Sequence, residues 1–336
     1  MKIVMLYDAP LAGASADNLD VLLQVRCLAD ELRARGHVVH SVCFSLDMNA
    51  VASSLRGLAP DLVFNLVEGV QGKGRYIHLA PSLLEDMGLV FTGSGSSAMA
   101  LSSNKLFAKV VMRAAGIPTP PWCVANDSSK VRYSESRRYL IKSVWEHASL
   151  GLEDDCLVDA RSSSELVDPM RRLRARMGGD CFAERYVEGR EFNVAILDSP
   201  EGLIVLPLAE ILFETLPPGA TPIVGYQAKW DEDSVQYQGT VRSFELQDAK
   251  LEEALKRQTL ECWKAFGLSG YARVDYRVDE GGGPQVIDVN ANPCLSPDAG
   301  FQAALKQAGI SFGTAVECIV DAAFSRVGVA PQGLVA

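Results

Sequence analysis

Apolar residues along the chain change period in a way that marks elements. Lys2 to Tyr7, Val38 to Cys43 and Leu62 to Asn65 are short apolar runs of strand length. Between the first two, Val21, Val25, Leu28 and Leu32 recur at helical spacing, predicting a helix over Asn18 to Arg35 with one apolar face and Gly36 as its cap. Strand, helix and strand in alternation predict a parallel α/β lobe over residues 1–95. A strand ending at Val90-Phe91-Thr92 runs into Gly93-Ser94-Gly95-Ser96-Ser97, a turn-forming exit from that lobe.

A second helix is expected from near Ser103, with Leu106, Phe107, Val110, Val111 and Ala114 as its apolar face. Lys105 and Lys109 then share a polar face one turn apart, and Gly116 and Pro118 end the helix. Pro118-Thr119-Pro120-Pro121 fits neither a helix nor a central strand and is read as an extended connector. A smaller lobe with its leading helix follows over residues 96–185, and a third lobe occupies residues 186–336. The third lobe is expected to hold strands at Glu191 to Leu197 and Leu203 to Leu208, a helix from Asp248 to Phe266, a hairpin and a C-terminal helix.

The hairpin carries the clearest chemistry. Along Gly270 to Val278, alternation turns Ala272, Val274, Tyr276 and Val278 one way and Arg273, Asp275 and Arg277 the other. With the turn centred between Gly281 and Gly282, Asp275 falls opposite Asp288 and Arg273 opposite Asn290. Facing carboxylates repel unless a cation lies between them, and a hard divalent ion takes one or two carboxylates and completes its shell with phosphate and water. Asp275, Asp288 and Asn290 are therefore the candidate magnesium ligands, against the plainer alternative of a solvated hairpin face.

Composition narrows the function. A net charge of -10 disfavours a nucleic-acid groove, which needs concentrated Lys and Arg, but leaves room for one triphosphate. The eight cysteines form no C-x-x-C pair, and no apolar run approaches the length of a membrane span. The opening residues reach polar positions too soon for a signal peptide, so a cytoplasmic location is expected. A homodimer, the commonest soluble assembly, stays open.

Arg273-x-Asp275 followed by Asp288-x-Asn290-x-Asn292-Pro293 resembles the metal and catalytic signature of the D-alanine-D-alanine ligase branch of ATP-grasp enzymes. Other segments are similar in the same order: Asp61 to Gly69, Phe91 to Ser94, Ser103-Asn104-Lys105, Gly116 to Pro120, Leu140-Ile141-Lys142, Ala148-Ser149-Leu150-Gly151 and Glu184 to Glu191. The resemblance implies an α/β chain with α+β lobes: a Rossmann-like N-terminal lobe, a small nucleotide-binding lobe and a C-terminal catalytic lobe. It also implies ATP with one or two magnesium ions. Lys105 and Lys142 would contact phosphates, Glu184 and Val187 adenine, and Glu191 the ribose. Ser149, in a loop small enough for backbone N–H groups to approach phosphate oxygens, and Lys229 would sit at the reacting phosphate, with Arg273 stabilising the tetrahedral intermediate. The implied reaction joins a small amino-acid-like carboxylate to an amine through an acyl phosphate. An ATP-binding regulator without ligase activity and a phosphotransferase are the alternatives.

Four departures from the family pattern bear on the substrates. Tyr7-Asp8-Ala9-Pro10-Leu11-Ala12-Gly13 replaces a Gly-rich segment whose glutamate holds the first substrate's ammonium, leaving Asp8 or Glu68 as candidates for that role. Trp230 stands where tyrosine is usual, Ala299 near a usual serine, and Asp288 at a usual glutamate, whose side chain reaches about 1.5 Å further. His78 and His147 lie near the matched segments and receive no role.

Overall fold

The structure is a computed structural model that describes residues 1–8, 16–126, 132–146, 151–216, 221–225, 228–229, 231 and 233–328. Ser149, His147 and Trp230, and the segment from Ala9 to Gly13, lie outside the described residues.

Three sheets follow one another along the chain. Strands β1 (Lys2–Asp8), β2 (Val38–Phe44) and β3 (Leu62–Asn65) form a parallel sheet in the order β2-β1-β3, and a parallel bridge joins Val63 to Phe91 at its edge. Their near-continuous apolar character matches the burial of Ile3, Val4, Met5 and Leu6 between helices on both faces. Helix Ala16–Ala34 presents the expected stripe, with Val21, Leu28 and Leu32 buried, and Gly36 at φ 80 leaves the helix in the left-handed region.

Strands β4 (Trp122–Cys123), β5 (Arg132–Ser143), β6 (Leu157–Ser162) and β7 (Cys181–Arg185) form a small antiparallel sheet ordered β4-β7-β5-β6. The third sheet is antiparallel and larger. It contains β8 (Arg190–Ser199), β9 (Gly202–Val205), β10 (Ala209–Phe213), β11 (Thr240–Ser243), β12 (Tyr271–Val278) and β13 (Pro284–Asn290), in the order β11-β10-β8-β12-β13 with β9 also on β8. The strand expected over Leu203 to Leu208 ends at Val205, and a separate strand that the sequence reading did not name, β10, begins at Ala209. Pro207 cannot donate to a ladder, so β9 pairs with Ile196 to Ser199 and the chain steps before β10 pairs with Glu191 to Asn193.

Helix Ala249–Phe266, capped by the Asp248 carboxylate on the N–H groups of Lys250 and Leu251, covers the third sheet through Leu251, Leu255, Cys262 and Phe266. Helices Gly300–Gln307 and Phe312–Arg326 cover its other side and share one apolar core with the N-terminal sheet, joining Leu197, Tyr271, Phe301 and Ile319 to Ile3, Met5 and Phe64. Arg326 adds hydrogen bonds to the carbonyls of Phe91 and Gly93 at 2.9 and 2.6 Å.

Around Lys105 the structure corrects the sequence expectation. Helix Ser96–Ser103 precedes the expected one, a break follows at Asn104, and that side chain caps helix Lys105–Ala114. The buried face of the second helix is Lys105, Ala108, Lys109 and Met112, while Phe107 and Val110 are more than half exposed. Ala108 and Met112 pack into the core of the third sheet, and the two lysines point inward because carboxylate and carbonyl partners on other elements meet them there.

Candidate active site

The second and third sheets, with helix and loop residues such as Asp20 and Glu68 from the N-terminal lobe, border one cavity of about 870 Å³, and its walls bring together residues far apart in sequence. One wall is the β12–β13 pair, where Asp275 lies opposite Asp288 and Arg273 opposite Asn290. That register arises differently from the sequence expectation. The turn spans residues 279–283, with Val278 paired to Pro284 and Tyr276 to Val286, and a bulge at Ile287 then restores Asp275 to Asp288. The bulge puts Ile287 and Asp288 on the same face, both lining the cavity.

Asp275 is 8% exposed and satisfied by four donors: Nε and Nη2 of Arg273 at 2.7 and 2.9 Å, Asn193 at 2.9 Å and Asn290 at 3.1 Å. Among the described residues no three His, Cys, Asp or Glu side chains gather into a closed metal site. Two carboxylates and a carboxamide are hard oxygen donors, too few to saturate a magnesium ion and well suited to one that also takes phosphate oxygens. The donor set therefore fits the metal that the resemblance implies.

Opposite this wall stand the lysines. Lys142 on β5 reaches the Glu184 carboxylate on β7 at 3.3 Å and the Ile287 carbonyl at 3.4 Å. Burial opposes its positive charge, but Glu184 and Asp288 outweigh burial and its pKa is raised. Lys105 donates to the Glu146 carbonyl at 2.8 Å, and burial lowers its pKa despite Asp288 nearby. Lys229 also lines the cavity, its pKa lowered first by burial and then by the charge of Arg273. Each of these buried ammonium groups faces desolvation that a polyanion in the cavity would relieve.

The segment between β7 and β8 forms a hinge around Arg277, which is 4% exposed. Its guanidinium donates to the Val187 carbonyl at 3.0 Å, the Tyr186 hydroxyl at 2.9 Å, the Pro222 carbonyl at 3.0 Å and Glu191 at 3.2 Å. Burial raises the Glu191 pKa, with Arg277 opposing the rise. Gly189 sits in this hinge at φ 132, and a Cβ there would stand 2.1 Å from the Val278 carbonyl oxygen.

The remaining wall is acidic. Asp20 accepts from the Ser296 hydroxyl at 2.6 Å and the Cys294 thiol at 3.0 Å, while the buried Gln24 donates to Glu68 at 2.8 Å and accepts from Leu295 N–H at 2.9 Å. Burial and the acids Glu68 and Asp20 push the Cys294 pKa well up, which keeps it a thiol. Asp8, one of the two candidates for an ammonium site, instead accepts the Glu68 backbone N–H at 3.3 Å and does not line the cavity. Glu68 does line it. On the same side Arg242 donates to the Asp298 carbonyl at 2.9 Å beside Ala299 and Gly300.

Lys105, Lys142, Glu184, Val187, Glu191, Lys229, Arg273, Asp275, Asp288 and Asn290 thus all border one cavity, whereas Ser149 is outside the described residues. Sequence reading missed Asp20, Gln24 and Arg242, and set Lys109 on a polar face beside Lys105 without a role. Asp20 and Gln24 are polar residues one turn apart beside the apolar stripe of the first helix, which was the available signal. Nothing local marked Arg242.

This arrangement of two antiparallel sheets and an N-terminal α/β lobe around a lysine-lined and carboxylate-lined cleft defines a ligase of the ATP-grasp class. The family model described as "D-ala D-ala ligase C-terminus" matches residues 111–321, and the chain belongs to that family. The D-alanine–D-alanine ligase of Methylococcus capsulatus is 29% identical over 321 residues, covering 94% of this chain and 96% of the relative. An uncharacterized protein of Sinorhizobium fredii, y4sG, is 31% identical over 265 residues, covering 79% of this chain and 75% of the relative. Among solved structures, D-alanine–D-alanine ligase from Bacillus anthracis complexed with ATP has a TM-score of 0.73 at 18% identity, with 97% of this chain and 98% of that one covered.

Proposed function

We propose that the protein uses ATP to activate a small amino-acid-like carboxylate and joins it to an amine. The carrying observation is the register that sets Asp275, Asp288, Asn290 and Arg273 on one wall of a cavity whose other side holds Lys105 and Lys142. Asp275, Asp288 and Asn290 would hold magnesium, which supplies neutralisation of phosphate charge when bound.

In this reading Lys105 and Lys142 bind ATP phosphates, the hinge at Glu184 and Val187 takes adenine, Glu191 takes the ribose hydroxyls, and Lys229 approaches the terminal phosphate. An oxygen of the substrate carboxylate attacks the γ-phosphorus, the bond to the bridging oxygen breaks, and ADP leaves. The amine nitrogen then attacks the acyl carbon, loses its proton, and expels phosphate. Arg273, pinned by two bonds to Asp275, is preorganised to donate to the oxyanion of that tetrahedral intermediate. In the same reading the acyl acceptor lies near Arg242 and Ala299, and the donor's ammonium near Glu68 and Asp20, all of which line the cavity. A cytoplasmic location and a homodimer belong to the same proposal, with no role for nucleic acid or membrane.

The deciding experiment incubates the protein with ATP, magnesium and amino-acid pools and follows ADP release with product mass. ADP release that requires both a carboxylate and an amine, with a condensed product, supports the reading. ADP released with only a phosphorylated carboxylate, or nucleotide bound and never consumed, overturns it.

A further inference from the structure

Lys109 is 2% exposed, lies outside the cavity lining, and yet carries its amino group into the protein, where burial lowers its pKa and Glu184 opposes that shift. Its Nζ forms an ion pair with Oε2 of Glu184 at 2.5 Å and donates to the Thr119 hydroxyl at 2.8 Å and the Pro120 carbonyl at 3.1 Å. The Trp122 ring lies 5.4 Å from the same nitrogen. Lys142, which does line the cavity, holds the other Glu184 oxygen at the longer distance of 3.3 Å.

These contacts close into a ring. Thr119 donates to the Val286 carbonyl at 2.7 Å, and Lys142 reaches the next carbonyl, that of Ile287, at 3.4 Å. The path from Lys109 through Glu184, Lys142, the Val286–Ile287 bulge and Thr119 returns to Lys109. It links helix Lys105–Ala114, the proline connector, both central strands of the small sheet and β13, the strand bearing Asp288 and Asn290.

We propose that Lys109 is a positioning residue for the nucleotide site: by pairing its charge with Glu184 from behind, it leaves Lys142 only loosely engaged and available to phosphate. A buried carboxylate left with one cation draws it close, because unpaired charge in a low-dielectric interior is costly. Without Lys109, Lys142 is the ion-pair partner left to Glu184 among the described residues, and it must choose between that carboxylate and the ligand. The inference rests on the ATP reading above, deepening it by naming what sets the affinity of the phosphate lysine.

The test is calorimetric titration of the full chain with magnesium and a non-hydrolysable ATP analogue, reading dissociation constant and stoichiometry separately. Lys109→Met should weaken binding by about tenfold or more at unchanged stoichiometry, whereas local misfolding would lower stoichiometry and leave the constant alone. In a Glu184→Gln background, where no buried carboxylate competes for Lys142, adding Lys109→Met should change the constant less than about threefold. Equal losses in both backgrounds, or no loss in the single variant, overturn the proposal. Should the single variant fail to fold, the double variant read against Glu184→Gln alone decides: equal affinity supports the inference and about tenfold weaker affinity refutes it. A wild-type protein that binds no nucleotide refutes the ATP reading itself, which separates the two failures.

Discussion

Replacing Arg273 by Ala removes one donor aimed at the reaction and one counter-ion from Asp275, and the two effects are separable. Asp275 would keep Asn193 and Asn290 at 2.9 and 3.1 Å but lose two charge-assisted bonds at 2.7 and 2.9 Å. Arg273 retains 21% side-chain exposure, so water enters part of the vacated space, and the expected loss of stability is about 2–4 kcal/mol. Bound magnesium should recover part of that loss by neutralising Asp275. For catalysis, loss of an oxyanion donor lowers kcat by about 10²–10³, or ~3–4 kcal/mol of transition-state stabilisation. ATP binding uses other residues, so its dissociation constant should change by less than about threefold. Urea unfolding with and without magnesium gives the first quantity, and coupled ADP release beside calorimetry gives the second. Parallel losses of turnover and ATP affinity would show that Arg273 shapes the nucleotide site rather than the intermediate, and the mechanism would be wrong.

Other consequences follow from particular contacts. Asp288→Asn should raise the magnesium concentration needed for half-maximal ADP release by about tenfold or more, since one of two facing carboxylates is lost; an unchanged requirement would place the metal elsewhere. Gly189→Ala meets the Val278 carbonyl in a left-handed backbone conformation, so the melting temperature should fall together with nucleotide affinity, and a normal melt would contradict the tight hinge. Asp8→Asn should leave substrate KM unchanged while Glu68→Gln raises the KM of the carboxylate substrate; the reverse pattern would return the ammonium contact to Asp8. Because burial lifts the Asp8 pKa above its unfolded value of 3.8, the ionised side chain opposes folding fully above the folded pKa and ceases to below 3.8. Asp8→Asn should accordingly melt higher than wild type near neutral pH, with the gap closing as pH falls through that window.

Much of the molecule was written in its local patterns. Short apolar runs and helical spacing located β1, β2, β3 and the first helix to within about two residues, since a strand-length apolar run and a single apolar helix stripe leave little choice of element. The pairing of Asp275 with Asp288 was legible too, although through a turn one residue out of place. A bulge at Ile287 compensated for the five-residue loop, and a bulge is a product of packing that alternation cannot reveal.

Helix Lys105–Ala114 shows where local pattern gives out. Its sequence marks Phe107 and Val110 for burial, yet the protein exposes them and buries Lys105 and Lys109. The chain alone determined that a helix forms there and that lysines recur one turn apart. Which face turns inward was decided by Glu184, Thr119 and the carbonyl of Glu146, partners from 10 to 75 positions further along that only the assembled sheets bring into reach. Buried charge is tolerated only where such partners converge, and that convergence exists in three dimensions alone.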